Sequence, residues 1–221
     1  MATTLMFRTG LRMRLAATRL FRDSSGMAAI EFSFILPIML VLFFGTIEFS
    51  SGVAVDRKVT LISRTLSDLT SQAPATDQAQ TYATVNDTYM QNVFTASMKI
   101  VDPYLATPLT STISEIYVDS TAVAKITWSK AATVSSGATQ ATLVASSRNP
   151  GDNVTSLVPA SLLVKKTYVI LSEVSYLYVP VGIGYVMKNS LSLSDVAYTR
   201  PRQATCVVYN SLPAATSCPL T

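Results

Sequence analysis

Histidine is absent from this 221-residue chain, and cysteine occurs only twice, at Cys206 and Cys218. Without histidine there is no Ser-His-Asp triad and no Cys-His nucleophile pair, and the common zinc clusters lose a usual ligand. An oxygen-only Ca²⁺ or Mg²⁺ site stays open in principle, but the 13 acids are scattered and show no EF-hand spacing. The sequence therefore points to no metal, no cofactor and no enzyme. Charge is sparse as well, at 14% of residues, and a net +4 with a pI near 9.1 would suit a nucleic-acid binder. Position argues otherwise. Arg8, Arg12, Arg14, Arg19 and Arg22 precede Gly26 against one acid, Asp23, which leaves twelve basic and twelve acidic residues in the remainder. The excess is a topogenic signal, and no nucleic acid is expected as a partner.

What the chain has in quantity is apolar residues. From Ile30 to Ile47 the run is interrupted only by the polar residues Glu31, Ser33 and Thr46. Crossing a hydrocarbon core takes ~20 residues, so Met27 to Ile47 suffices. The arginines before it place the N-terminus in the cytoplasm and Asp56 onward outside. An ordinary secretory signal is the competing reading, with Gly52-Val53-Ala54 as a passable cleavage site. The apolar stretch is longer than the ~7–15 residues of such a signal, and its basic preface is unusually long.

The helix is expected to continue beyond the membrane. Val55, Val59, Ile62, Leu66 and Leu69 form one amphipathic stripe, with Asp56, Arg57, Lys58, Arg64 and Asp68 off it, and Pro74 ends the pattern. Pro37, Gly45 and Gly52 are candidate kink points. Recurrence of Tyr82, Val85, Tyr89, Val93, Ala96 and Ile100 predicts a second amphipathic helix over 78–101. Strand patterns follow: a hairpin from Ile113–Asp119 and Val123–Ser129, an apolar strand over Tyr168–Val179, and a final strand over Leu191–Thr199, reached through Pro180–Asn189. Ala131–Gln140 and Ser146–Thr155 read as surface loops, and Val158–Val164 as a short helix opened by Pro159. The fold class is α+β: a long, partly transmembrane N-terminal helix, a second helix and a small antiparallel sheet.

The most informative segment is Gly26-Met27-Ala28-Ala29-Ile30-Glu31-Phe32. An unpaired charge at the centre of a membrane helix costs ~2.5–3.5 kcal/mol on insertion scales, so an acid there usually has a task. Near the end of the span, snorkelling could hide Glu31 at little cost. A functional Glu31 needs a cationic partner, and cleavage after Gly26 would create one in the new α-amino group of Met27.

Gly26 followed by Glu31-Phe32 and an apolar stretch with Leu36-Pro37 resembles the prepilin-type leader of the TadE-like minor pseudopilins of the tight-adherence (Tad/Flp) pilus system. Two downstream stretches look similar to the same family: Glu173-Val174-Ser175-Tyr176-Leu177-Tyr178-Val179-Pro180 and Tyr198-Thr199-Arg200-Pro201-Arg202. The resemblance covers roughly residues 22–72 and 158–203. It implies a pilin-like fold and processing by a prepilin peptidase between Gly26 and Met27, with Glu31 and Phe32 as assembly residues. The implied partners are other pilin and pseudopilin subunits, an inner-membrane assembly platform and membrane lipid. The implied organisation is a cytoplasmic leader (1–26), a transmembrane helix (27–49), its amphipathic extension (50–72) and a periplasmic α+β domain (73–221). The implied role is that of a minor subunit in assembling an adhesive pilus. An uncleaved, membrane-anchored periplasmic enzyme or binding protein is the rival reading.

In an oxidising periplasm Cys206 and Cys218 would close a short loop worth ~3 kcal/mol as a disulfide. Two free thiols in a frayed tail are the plain alternative. Glu173, within an apolar strand, is expected to serve a structural ion pair with Lys125 or Arg200; Arg200 and Arg202 are further structural charge candidates. Tyr176 and Tyr178 share one strand face and read as core or sheet aromatics rather than an adhesive patch. Asn86-Asp87-Thr88 and Asn153-Val154-Thr155 match the glycosylation pattern by chance.

Overall fold

A computed structural model describes residues 25–75, 81–180, 190–209 and 218. The expected leader up to Ser24 and residues 181–189 of the expected connection lie outside them. Helix α1 runs without interruption over Ser25–Ser71, with Pro37 inside it. The chain divides into two compact units, Met1–Glu48 and Phe49–Thr221, and the boundary falls within this helix.

In the first unit the helix is largely apolar, and every residue from Gly26 to Phe43 is exposed. Phe34 is 74% exposed, and Ile30, Phe32, Ile38, Leu42 and Phe43 are open as well. A helix that is hydrophobic all round fits a lipid environment, not a one-sided core. The 22 residues from Met27 to Glu48 rise ~33 Å at 1.5 Å each, enough for a hydrocarbon core.

In the second unit the pattern narrows to a stripe. Val55, Val59, Ile62 and Leu66 are fully buried, while Asp56, Arg57 and Arg64 face outward, as the spacing predicts. Five strands form an antiparallel sheet in the order β4-β3-β2-β5-β6. These are β2 (Leu109–Val118), β3 (Ala124–Thr133), β4 (Thr142–Val144), β5 (Thr167–Tyr178) and β6 (Leu191–Thr199). The stripe of α1 joins Leu109, Ile113, Ile170, Val174, Tyr176 and Tyr178 in the main core. A second cluster on the opposite face gathers Ile116, Val118, Ile126, Val154, Val158 and Leu171 beneath the 146–164 segment. The expected hairpin, the expected β5 and β6, and the turn opened by Pro159 (a 3-10 turn over Ala160–Leu162) are all present. The α+β class is borne out. The loop expected over 131–140 begins later than predicted, because Ala131–Thr133 still belong to β3.

One expectation is overturned. Residues 78–101 are not a single helix: β1 (Tyr82–Val85) comes first, and helix α2 occupies only Asp87–Val101. Asn86 divides them, its side-chain oxygen accepting the N–H of Tyr89 at 2.8 Å as an N-cap. The buried face of α2 is Met90, Val93, Phe94, Ser97, Met98 and Val101, so the predicted stripe keeps Val93 alone among its fully buried residues. Nor is β6 the last strand. β7 (Cys206–Tyr209) pairs in parallel with β1, matching Tyr82 to Cys206 and Val85 to Tyr209. The ladder that makes Tyr82–Val85 a strand is formed with residues 124 positions away in sequence, beside a single local bridge from Ala83 to Ala75.

Candidate functional site

Gly26 and Met27 lie in the first turn of α1, and no heavy atom comes within 4 Å of where a Gly26 Cβ would stand. Met27, Glu31 and Phe32 are all exposed. Met27 and Glu31 are four residues apart, and such pairs stack one turn above the other on a helix face. An ammonium on a new N-terminus at Met27 would therefore stand within reach of the Glu31 carboxylate on the same chain. Further along, no charged residue interrupts α1 between Phe32 and Ile47.

Where α1 enters the second unit, polar groups fasten it to the sheet at several points. The Ser172 hydroxyl on β5 donates to the Ser63 carbonyl at 2.5 Å, and the Ser63 hydroxyl donates to Asp195 on β6 at 2.7 Å. Thr199 reaches Ser67 at 3.1 Å, and the Arg202 N–H donates to the Ser71 carbonyl at 2.9 Å. The Arg202 guanidinium also meets the Asp68 carboxylate at 2.8 Å. Small serines suit these positions because they bring the helix backbone close to the strands. Lys58 covers the end of α2, donating to the carbonyls of Ile100 at 2.7 Å and Asp102 at 2.5 Å, where a cation also complements the helix dipole.

The two downstream stretches singled out in the sequence meet here. Glu173–Pro180 covers the second half of β5, Tyr198–Arg202 covers the end of β6 and the turn beyond, and β5 and β6 are paired neighbours. Arg202 is a helix-fastening residue, while Arg200 is exposed. Between α1 and β6 lies an open groove of about 560 Å³, walled by Arg64, Asp68, Asp195, Thr199 and Arg202 among others. Tyr176 and Tyr178 face the core, and the Tyr176 hydroxyl donates to the Leu105 carbonyl at 2.9 Å.

Glu173 does form an ion pair, but its partner is Arg148 rather than Lys125 or Arg200. The guanidinium takes the carboxylate in two-pronged fashion, with Nε donating to Oε2 at 2.5 Å and Nη2 to Oε1. The hydrogen bond to Glu173 raises the Arg148 pKa against the opposing effect of partial burial. Arg148 sits in a segment read as a loop, and nothing local in the sequence links it to β5. Cys206 and Cys218 are joined by a disulfide, with their Cα atoms 5.8 Å apart. Asn153 accepts from the N–H and hydroxyl of Thr155 at 3.0 and 2.7 Å, a local turn rather than a displayed acceptor.

Sequence reasoning passed over Glu115, a fully buried carboxylate at a bulge in the β2–β3 pairing. Strand alternation places it on the core face with Ile113, so the signal was available. Burial pushes its pKa up to about 8, against the pull of hydrogen bonds from Val207, Thr127 and Trp128.

No curated protein and no solved structure matches the chain. Residues 26–65 match the family model described as TadE-like protein. The match stops short of the two downstream stretches, but it contains Gly26, Glu31-Phe32 and Leu36-Pro37. The resemblance carried by those residues is borne out over this segment: residues 26–65 are similar to the TadE-like family, a family of pilus components not known as enzymes.

Proposed function

We propose that the chain is a minor, pilin-like subunit of a Tad-type pilus, anchored in the bacterial inner membrane by the first half of α1. A prepilin peptidase cuts between Gly26 and Met27, and the domain that follows lies in the periplasm. The observation that carries this reading is a helix apolar on every side, opening with Gly26 and bearing its lone early acid five residues later, inside the TadE-like match. Such a helix has two environments open to it, lipid and the apolar helices of neighbouring subunits. Pilus assembly uses both, the second after the first.

On this reading Glu31 sets register. In lipid or a helix bundle it pairs with the Met27 ammonium of its own chain or of a neighbour. Two unit charges ~4 Å apart attract by several kcal/mol at an effective dielectric near 20. The periplasmic domain presents docking surface to other pilin and pseudopilin subunits and to the membrane assembly platform.

The test is the mature N-terminus. Intact-mass measurement of the membrane-derived protein should place it at Met27, and Gly26→Val should keep the leader attached. A native protein that retains its leader would refute processing and favour the rival reading, an anchored periplasmic enzyme or binding protein.

A further inference from the structure

Parallel pairing with β1 uses one edge of β7 and leaves the other edge without a strand partner among the described residues. At Val207, side chains of the five-stranded sheet take that place. The Val207 N–H donates to Glu115 Oε1 at 2.5 Å, and the Trp128 indole N–H donates to the Val207 carbonyl at 2.6 Å. A buried carboxyl and a buried indole thus complete the ladder that a strand would supply. The residue just before Val207, Cys206, carries the disulfide to Cys218.

The remaining contacts of Glu115 bear on its proton. The Thr127 hydroxyl lies 2.8 Å from Glu115 Oε2 and 3.0 Å from the Glu115 carbonyl oxygen. A threonine hydroxyl has one hydrogen to donate. If Glu115 is ionised, its carboxylate and its backbone carbonyl compete for that hydrogen, and the Glu115 side chain is itself fully buried. If Oε2 carries a proton, it donates to Thr127 Oγ1, Thr127 donates to the Glu115 carbonyl, and every group is satisfied. No cation among the described residues forms an ion pair with Glu115. The titratable group that feels its charge is Tyr168 on β5, which stacks on Tyr117 at 4.8 Å. Burial also raises the Tyr168 pKa, so that phenol stays neutral at ordinary pH. At the far end of β7, the Tyr209 hydroxyl donates to Asp87 beside Lys130. That hydrogen bond lowers the Asp87 pKa, so Asp87 titrates only in acid.

We infer that Glu115, buried beneath the C-terminal strand β7 and held there as a neutral acid, clasps β7 to the five-stranded sheet, so that β7 loosens as the pH rises and the buried carboxyl ionises. An unfolded carboxyl titrates near 4.5 and the clasped one at about 8. Between those values the closed form binds the extra proton, so its advantage is complete below 4.5 and declines until about 8. From pH 6 to pH 8 the open fraction of β7 should grow about 50-fold by proton linkage.

The experiment is amide hydrogen exchange by mass spectrometry on the full chain in detergent micelles. It follows the peptide containing Val207, after correction for the intrinsic pH dependence of exchange. The wild type should show the 50-fold increase in opening between pH 6 and pH 8. Glu115→Gln, which keeps an acceptor for Val207 and a donor for Thr127 but cannot ionise, should show none. Equal slopes in the two proteins, or a flat wild type, would overturn the inference. Should the variant fail to fold, infrared spectra of the wild type decide. A protonated-carboxyl carbonyl band present at pH 6 and lost by pH 9 supports the clasp, and its absence at pH 6 refutes it.

Discussion

Two leucines on one helix allow the join between α1 and the sheet to be weighed. Leu66 is 0% exposed in the main core, while Leu61, five residues earlier, is 53% exposed. Replacing a buried leucine by alanine costs about 2–5 kcal/mol, more where the surroundings cannot collapse into the void. Collapse is restricted around Leu66. Ser63 is held by Ser172 and Asp195 on one side, and the Ser71 carbonyl by the Arg202 N–H on the other, so the helix cannot shift toward the gap. Leu66→Ala is therefore expected near the upper half of that range, about 3–5 kcal/mol. Leu61→Ala removes the same atoms from a solvent-facing site and should stay within about 0.5 kcal/mol. Trp128, the only tryptophan in the chain, is 4% exposed against Tyr209 and reports on this unit alone. Urea titrations of the full chain in micelles, followed by its fluorescence, give both values. A loss below about 1 kcal/mol for Leu66→Ala, or equal losses for the two variants, would show that α1 is not part of the core.

Cys206→Ser with Cys218→Ser opens a loop of sequence separation 12 and should lower urea stability by about 3 kcal/mol, whereas non-reducing mass mapping of the wild type should find the two cysteines linked. Arg148→Met leaves the half-buried Glu173 carboxylate without its partner and should cost about 1–3 kcal/mol, largely recovered in the double variant with Glu173→Leu; a double variant no better than the single one would count against the pairing. Glu31→Gln should insert and be processed normally yet fail to support piliation, and wild-type pilus numbers at normal protein levels would show the charge to be incidental.

Legibility followed the range of the contacts. The buried stripe of α1 and the β2–β3 hairpin repeat at helix and strand periods within a few residues, and both were readable. β1 was misread because Tyr82, Val85 and Tyr89 fall by accident at +3 and +4, while the contact that makes the segment extended is with Cys206–Tyr209. The local correction was nevertheless present. Asn86-Asp87 is an N-cap signal, and the helical spacing that ran through it from 78 to 101 concealed it. Arg148 could not have been found by spacing, since its partner lies 25 residues away across a loop. Glu115 could have been, because an acid on the same strand face as Ile113 must be neutralised, paired or hydrogen-bonded when that face is buried.

The change of pattern along α1 bears on Glu31. After Phe49 the helix has a wet face, which Asp56, Arg57 and Arg64 use fully and Lys58 and Asp68 in part. Before Glu48 the helix offers no such face, since apolar residues lie exposed on every side of it. A carboxylate in that first segment has three options: reach the interface, take up a proton, or find a cation. On the pilin reading the first is open only while the subunit rests in the membrane with its helix end at the headgroups. Inside a filament the interface is gone, and a lone carboxylate among apolar helices would cost several kcal/mol. On the same reading, cleavage would supply what the sequence lacks between Asp23 and Arg57, a positive charge. It places that charge one helical turn before Glu31. Removal of the leader and the position of the acid thus form one arrangement. The variant that tests this is one in which Met27 keeps its leader while Glu31 is intact: it should remain a stable membrane protein and fail to enter pili.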